Sequence, residues 1–248
     1  MTKDTRTLYL ELIKRVLTNL IYEDSRLDGS SAVFEAEARL EGRDWPSVAH
    51  TMVGLSRLDN LQMCVESVLA DGVPGDFIET GVWRGGASIF TRAVLAAHGV
   101  NDRTVWVADS FEGMPETTED SNIADRHVEL SEFNDVLAVP LETVRANFGK
   151  YDLLDEQVRF LPGWFSETLP VAPVERLALL RLDGDLYDST MVALDNLYPK
   201  LSPGGYVIVD DYLLHGCRAA VDAFRQRNGI TEPVKDIDGT AAYWRRAV

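Results

Sequence analysis

The sequence predicts an α/β protein built on a mostly parallel sheet, and three observations carry that prediction. From Gly75 onward, short apolar runs alternate with helical patterns, the signature of strands joined by crossover helices and covered on both faces. Several of the runs stop at an acid: Val105 to Ala108 at Asp109, Leu177 to Leu182 at Asp183, and Tyr206 to Val209 at Asp210. The tail, Val234 to Ile237 and Ala241 to Trp244 around Asp238-Gly239, reads as a closing antiparallel hairpin.

The remaining elements follow in order. Leu8, Leu12, Ile13, Val16, Leu17, Leu20 and Ile21 recur at helical spacing, as do Leu58, Leu61, Val65, Val68 and Leu69 before Gly72, so two amphipathic helices precede the sheet. Between them Tyr22 to Met52 is polar and irregular, a long loop with one helical piece around Ser31 to Leu40, and loops of that length are commonly functional or disordered. Phe77-Ile78-Glu79 is a strand before a glycine turn, and Val158 to Leu161 is another before Pro162-Gly163. The segment 112–140 breaks the rhythm with eight acids and few large apolar residues. It is either a solvated insertion or a lid closing over a ligand at the strand ends. The expected organisation is one domain over 1–248, with 1–72 a helical extension and substrate loop, and 73–248 a core carrying the lid at 112–140.

Composition narrows the function. A 248-residue chain with a formal charge of −16 has no basic surface for nucleic acid or anionic membrane. Cys64 and Cys217 lack metal or redox spacing and read as reduced core thiols of a cytoplasmic protein. Nothing resembles a signal peptide or a membrane span.

Strand ends of a parallel sheet lie along one edge, so Asp183 and Asp185 should meet Asp210 and Asp211 in one crevice. Hard oxygen ligands grouped this way suit Mg²⁺, and a carboxylate outside the coordination shell is free to act as a base. The competing reading is that Asp185 or Asp188 merely caps the helix starting near Ser189. Asp183 and Asp185 point the same way only if the strand continues past Gly184, where a turn is permitted. In Glu79-Thr80-Gly81-Val82-Trp83-Arg84-Gly85-Gly86, Trp83 occupies the position where a dinucleotide fingerprint needs its second glycine. A carboxylate two residues before the glycine suits the ammonium group of S-adenosylmethionine better than a diphosphate. Asp109 is placed to accept ribose hydroxyls, although its spacing from Glu79 exceeds the dinucleotide norm of about twenty residues. Trp83 and Trp164 either flank the cofactor or simply pack, and Trp45 and Tyr212 are the candidate substrate contacts. His50, His98, His127 and His215 are rival bases, with His50 foremost because it adjoins Thr51-Met52.

The strings His50-Thr51-Met52, Gly75 to Gly86, Val107 to Phe111, Phe160 to Phe165, Asp183-Gly184-Asp185 and Val209 to Tyr212 together resemble the macrocin O-methyltransferase family, from about Leu8 to Trp244. Within it, the narrower parallel is with rhamnose methylation in enediyne biosynthesis. The resemblance implies a class I methyltransferase, Rossmann-like fold that methylates a deoxysugar hydroxyl with S-adenosylmethionine and Mg²⁺. It implies Asp183, Asp210 and Asp211 as metal ligands and Asp185 as general base. It implies cofactor contacts at Thr51, Met52, Glu79, Gly81, Asp109, Ser110, Gly163 and Trp164, and the expected cofactor set also takes in Thr80, Trp83, Ser88, Phe111 and Asp183. The expected partners are a sugar, free or nucleotide-linked, or a glycosylated natural product, and further copies of the chain in a homo-oligomer. Two rivals stand beside this: a phenolic O-methyltransferase with a flatter, more apolar acceptor pocket, and an NAD-binding or inert Rossmann-like protein.

Overall fold

A computed structural model describes residues 4–27, 33–126 and 128–247. Its sheet has seven strands: β1 (Asp76–Thr80), β2 (Val105–Asp109), β3 (Val158–Pro162), β4 (Leu177–Leu182), β5 (Leu201–Val209), β6 (Lys235–Asp236) and β7 (Ala242–Arg245). They lie in the order β3-β2-β1-β4-β5-β7-β6. β1 to β5 pair in parallel, while β7 runs antiparallel to both β5 and β6. The expected hairpin therefore forms, with a shorter first strand. The strand order reverses between β1 and β4, and ligands of open α/β sheets bind at such a switch point, beyond the strand C-termini.

The helices are α1 (Thr5–Leu17), α2 (Ala36–Glu41), α3 (Leu55–Ala70), α4 (Gly86–Ala97), α5 (Asn134–Leu137), α6 (Leu141–Lys150), α7 (Phe165–Thr168), α8 (Tyr187–Leu197) and α9 (His215–Arg227). They cover both faces of the sheet, and β4 is buried along its whole length. No helix among the described residues is long and apolar enough to cross a membrane.

α3 buries the stripe its periodicity predicts. α1 does so only in part: Leu17 is buried as expected, but Leu8 and Leu12 are 54 % and 52 % exposed, and Leu10 and Lys14 turn inward in their place. Lys14 tolerates this because its ammonium meets Glu11 and Asp59 while its stem lies along the apolar surface. Leu20 and Ile21 fall beyond the end of this helix.

The described parts of the long loop, 22–27 and 33–52, are tied together by an ion cluster. Arg39 is 1 % exposed; it pairs with Asp24 at 2.6 Å and Asp44 at 2.9 Å and donates to the Thr18 carbonyl at 2.9 Å. Asp24 also accepts the amides of Val48 and Ala49. Burial opposes its ionisation, but the Arg39, Val48, Ala49 and Asn19 donors outweigh that and hold its carboxyl at about 2. The cluster fixes the path of the chain through Trp45 and on to Thr51-Met52. α2 is the later part of the helical piece expected over Ser31 to Leu40; residues 31 and 32 lie outside the described ones.

Candidate active site

A cavity of about 1000 Å³ opens at the C-terminal edge of the sheet, walled by the ends of β1, β2, β4 and β5, by the loop through Trp45 and by segment 112–140. That is the upper end of the range for small-molecule sites, large enough for a cofactor and an acceptor side by side.

β1 delivers Glu79 and then Gly81, whose φ is 86°. A Cβ on Gly81 would stand 1.6 Å from the Asp183 carbonyl, so only glycine lets the ends of β1 and β4 come together. Trp83 then takes a φ of 46°, a conformation usually left to glycine. It is held there by the Arg84 guanidinium, 4.0 Å from its ring centroid, and by its indole N–H, which donates to the Val136 carbonyl at 3.0 Å. At the end of β2 the Asp109 carboxylate accepts the amides of Val82 at 2.7 Å and Phe111 at 2.8 Å, which braces both turns at the cavity wall. Burial pushes its carboxyl up despite those donors.

The acids meet around Arg181. This residue interrupts the apolar run of β4 and is 3 % exposed. It donates to Glu79 at 2.5 Å, Asp183 at 2.6 Å and Asp210 at 2.5 Å. Arg57 on α3 takes the other Asp210 oxygen at 2.5 Å and Asp238 of the closing hairpin at 2.7 Å. Asp210 thus has both oxygens engaged by arginines. Among the described residues, the group that brings one carboxylate oxygen each within 4.8 Å of one another is Asp183, Asp185 and Asp211, not the expected Asp183, Asp210 and Asp211. The chain does turn after Leu182: Asp185 adopts a φ of 57°, and its amide donates to Asp211 at 3.1 Å.

Crowding of these carboxyls has an electrostatic cost. Burial, and then the charges of Asp183 and Asp210, push Asp185 up to about 7. Burial raises Asp183, with Asp210 adding to it, and Asp211 is driven well above the carboxylate range by burial and by Asp185. Burial likewise pushes Glu79 to about 7, against the pull of Arg181 and Ser88. Asp183 and Asp211 bring together carboxylate oxygens of the kind a hard divalent cation takes, with the Asp185 carboxyl beside them. Carboxylate oxygens are the ligand type that Mg²⁺ takes.

The cavity brings together Trp45, Thr51, Met52, Glu79, Gly81, Trp83, Asp109, Ser110, Trp164, Asp183, Asp185, Asp210 and Asp211, all of them expected from the sequence. Five other expected residues stand behind its wall. Ser88 donates to Glu79. Thr80 is buried in the sheet and donates to the Arg181 carbonyl at 3.4 Å. Phe111 packs in the core against Phe160, 6.4 Å between ring centroids. Gly163 ties β3 to β2 by its amide, 2.9 Å from the Asp109 carbonyl. Tyr212 turns away to α9, where its hydroxyl meets Asp222 at 3.2 Å and Arg218 covers its ring; a substrate contact from it is not supported. His50 is occupied by the Tyr151 hydroxyl at 2.7 Å and lowered to about 4 by burial and by Lys150 and Arg84. His127 lies outside the described residues. Neither Asp185 nor Asp188 caps α8; that role falls to Asp125, whose carboxylate accepts the amides of Tyr187 and Asp188.

Arg57 and Arg181 are the residues the sequence reading missed. The signal was present in Arg181, a charge inside a six-residue apolar strand directly ahead of the acids. A buried arginine there has to be paired.

Comparison with known proteins agrees with this geometry. A family profile described as Macrocin-O-methyltransferase (TylF) matches residues 27–246. The chain is 66% identical to the 8-demethyl-8-(2,3-dimethoxy-alpha-L-rhamnosyl)-tetracenomycin-C 4'-O-methyltransferase of Streptomyces olivaceus, over 99% of this chain and 95% of that protein. It is 55% identical to the mycinamicin III 3''-O-methyltransferase of Micromonospora griseorubida, over 97% and 96%. Among solved structures, the O-methyltransferase NovP superposes with a TM-score of 0.94 at 54% identity, covering 98% of this chain and 100% of that one. The calicheamicin methyltransferase shares 21% identity at a TM-score of 0.61, over 99% and 94%. That likeness shows the fold alone, so the narrower enediyne parallel carries no further weight. The chain belongs to the macrocin O-methyltransferase family, enzymes that move a methyl group from S-adenosylmethionine to an oxygen of their acceptor.

Proposed function

We propose that the chain methylates a hydroxyl of a deoxysugar already attached to an antibiotic aglycone, assisted by Mg²⁺ and with Asp185 as general base. The observation that carries this reading is the trio Asp183, Asp185 and Asp211, within 4.8 Å of one another, in a cavity that Glu79 and Asp109 also line. When bound, S-adenosylmethionine supplies an electrophilic methyl group, and Mg²⁺ orients and acidifies the acceptor hydroxyls. Asp183 and Asp211 would hold the ion, and Asp210 would join them only by giving up an arginine. Asp185 removes the hydroxyl proton, since its carboxyl lies beside those of Asp183 and Asp211 and is left to act as a base. Glu79 offers its remaining lone pairs to the methionyl ammonium, Asp109 offers its own to the ribose, and Trp83 and Trp164 flank the cofactor. The core, the N-terminal extension and segment 112–140 act as one catalytic unit.

A finished glycoside fits the wall better than a nucleotide-linked sugar. The lining arginines are Arg43, Arg57 and Arg181. Arg57 and Arg181 are buried in the acid cluster, and Arg43 is paired with Glu41 at the surface, so a diphosphate would find no buried arginine free among these three. The aromatic pair Trp45 and Phe133, edge to face at 5.3 Å, offers a sugar or aglycone face an apolar platform. The tetracenomycin relative, 66% identical, is named for a product that already carries its rhamnosyl group. A phenolic acceptor is disfavoured by the acids in the wall, among them Glu116, Asp135 and Asp188.

The test is to incubate the protein with S-adenosylmethionine, Mg²⁺ and rhamnosylated tetracenomycin, and to follow the acceptor mass. Gain of one methyl group, abolished by EDTA and by Asp183→Ala or Asp211→Ala with S-adenosylhomocysteine binding retained, is the expected result. Full turnover in chelator removes the metal from the account.

A further inference from the structure

The described residues of segment 112–140 are nearly all exposed or half-buried, yet Asp125 within it is 1 % exposed. Its Oδ1 accepts the Tyr187 amide at 2.9 Å and its Oδ2 the Asp188 amide at 3.4 Å. These are the first residues of α8, whose own N-cap residue, Leu186, contributes no side-chain hydrogen bond. A reciprocal contact runs from the Asn122 amide to Asp188 at 3.2 Å. On its other side the carboxylate rests against the first turn of α9, where a Cβ on Gly216 would stand 2.2 Å from Oδ1. α8 follows β4 and α9 follows β5. One carboxylate from the acceptor wall is therefore wedged between the two helix starts that succeed the acid-bearing strand ends.

Asp185 lies two residues before Tyr187, in a left-handed conformation with φ 57°. A non-glycine residue stays there only where its surroundings over-determine it. Its own amide is tied to Asp211, and the chain after it is tied by Asp125. Removing the second tie frees the α8 end of the turn while leaving Glu79, Asp109 and their partners in place.

We propose that Asp125 is a positioning residue: by pinning α8 to segment 112–140 and α9, it holds the Asp185 carboxyl in register with Asp183 and Asp211. Seating of the acceptor wall and alignment of the base become one event. The inference rests on the reading of Asp185 as the base.

Four variants test it: Asp125→Ala, Asp125→Asn, Gly216→Ala and the Asp125→Ala/Gly216→Ala double. Single-turnover methyl transfer, S-adenosylhomocysteine affinity and thermal midpoint are measured for each, with Asp185→Asn alongside. Asp125→Ala removes the pin and Gly216→Ala displaces it, so each lowers the rate about 10- to 100-fold, the scale of a misplaced catalytic group, with cofactor affinity unchanged. Asn keeps one acceptor oxygen and restores part of the rate. The double variant loses far less than the product of the single losses, because the 2.2 Å clash with Oδ1 goes with the carboxylate and only a 3.2 Å approach to the Tyr187 amide remains; such non-additivity marks two residues acting through one contact. If Asp125→Ala does not fold, Gly216→Ala and Asp125→Asn carry the same rate and affinity comparison. A wild-type rate in folded Asp125→Ala, or losses that multiply in the double, overturns the proposal. An inactive Asp185→Asn beside a fully active Asp125→Ala condemns the positioning role alone. A fully active Asp185→Asn beside a slow Asp125→Ala condemns the base assignment instead.

Discussion

Replacing Arg181 by Met tests the electrostatics of the acid cluster directly. The side chain is similar in size and apolar, so the strand around it should keep its packing. What disappears is the guanidinium that faces Glu79, Asp183 and Asp210 at 2.5–2.6 Å. Breaking a buried ion pair by removing one partner costs about 3–5 kcal/mol. At about 2–4 °C per kcal/mol for a chain of this size, the thermal midpoint at pH 8 should fall by roughly 6–20 °C. The sign of the pH dependence follows from Glu79. Its folded value of about 7 lies above its ordinary 4.5, so the folded state holds a proton through that window. The contribution of Glu79 is therefore fully present below about 4.5 and is lost as pH rises through about 7. Without Arg181 the carboxyl rises further, so the deficit of the variant should shrink between pH 8 and pH 6. Mg²⁺ should recover part of the loss, since it returns positive charge to the same acids. Differential scanning calorimetry of both proteins at the two pH values, with and without Mg²⁺, gives the answer. A midpoint within about 2 °C of wild type at pH 8 would mean that the cluster is not held as described.

Three further outcomes follow. Asp109→Ala should weaken S-adenosylhomocysteine by on the order of 1–3 kcal/mol, the range for charge-assisted hydrogen bonds, and calorimetric titration at wild-type affinity would refute its ribose role. Asp24 has a folded value of about 2, below its ordinary 3.8; its contribution is present above about 3.8 and lost as pH falls through 2. Amide exchange in residues 33–52 should therefore stay slow down to about pH 4, whereas Asp24→Asn should expose them at every pH, and unaltered protection in that variant would count against the ion cluster. Segment 112–140 should gain hydrogen-exchange protection when acceptor joins cofactor and protein; unchanged exchange in the ternary complex would mean it is a fixed wall.

Much of the core was legible because burial on both faces writes itself as apolar runs. Phe77 to Glu79, Val105 to Asp109 and Leu177 to Asp183 needed no tertiary information. The gathering of acids at one edge followed from the parallel arrangement. What escaped depended on contacts between distant segments. α1 hides Lys14 rather than Leu12 because Asp59 waits on α3 to pair with it. The choice between Asp185 and Asp210 for the inner trio was decided by Arg57 and Arg181, which occupy both Asp210 oxygens. The cap of α8 came from Asp125, 62 positions away, where local rules looked only to Asp185 and Asp188. Trp83 was read as an obstacle to a diphosphate; its left-handed turn, held by Arg84 and Val136, depends on partners that no local pattern reveals.

The central claim is that Asp185 takes the acceptor proton in a site assembled by Asp183 and Asp211. Rapid-quench measurement of methyl transfer in Asp185→Asn, with saturating S-adenosylmethionine, Mg²⁺ and rhamnosylated acceptor, tests it most directly. The predicted result is a rate lowered about 10²–10⁴-fold, the usual share of a general base, with cofactor and Mg²⁺ affinities near wild type. Turnover within a few-fold of wild type would contradict it.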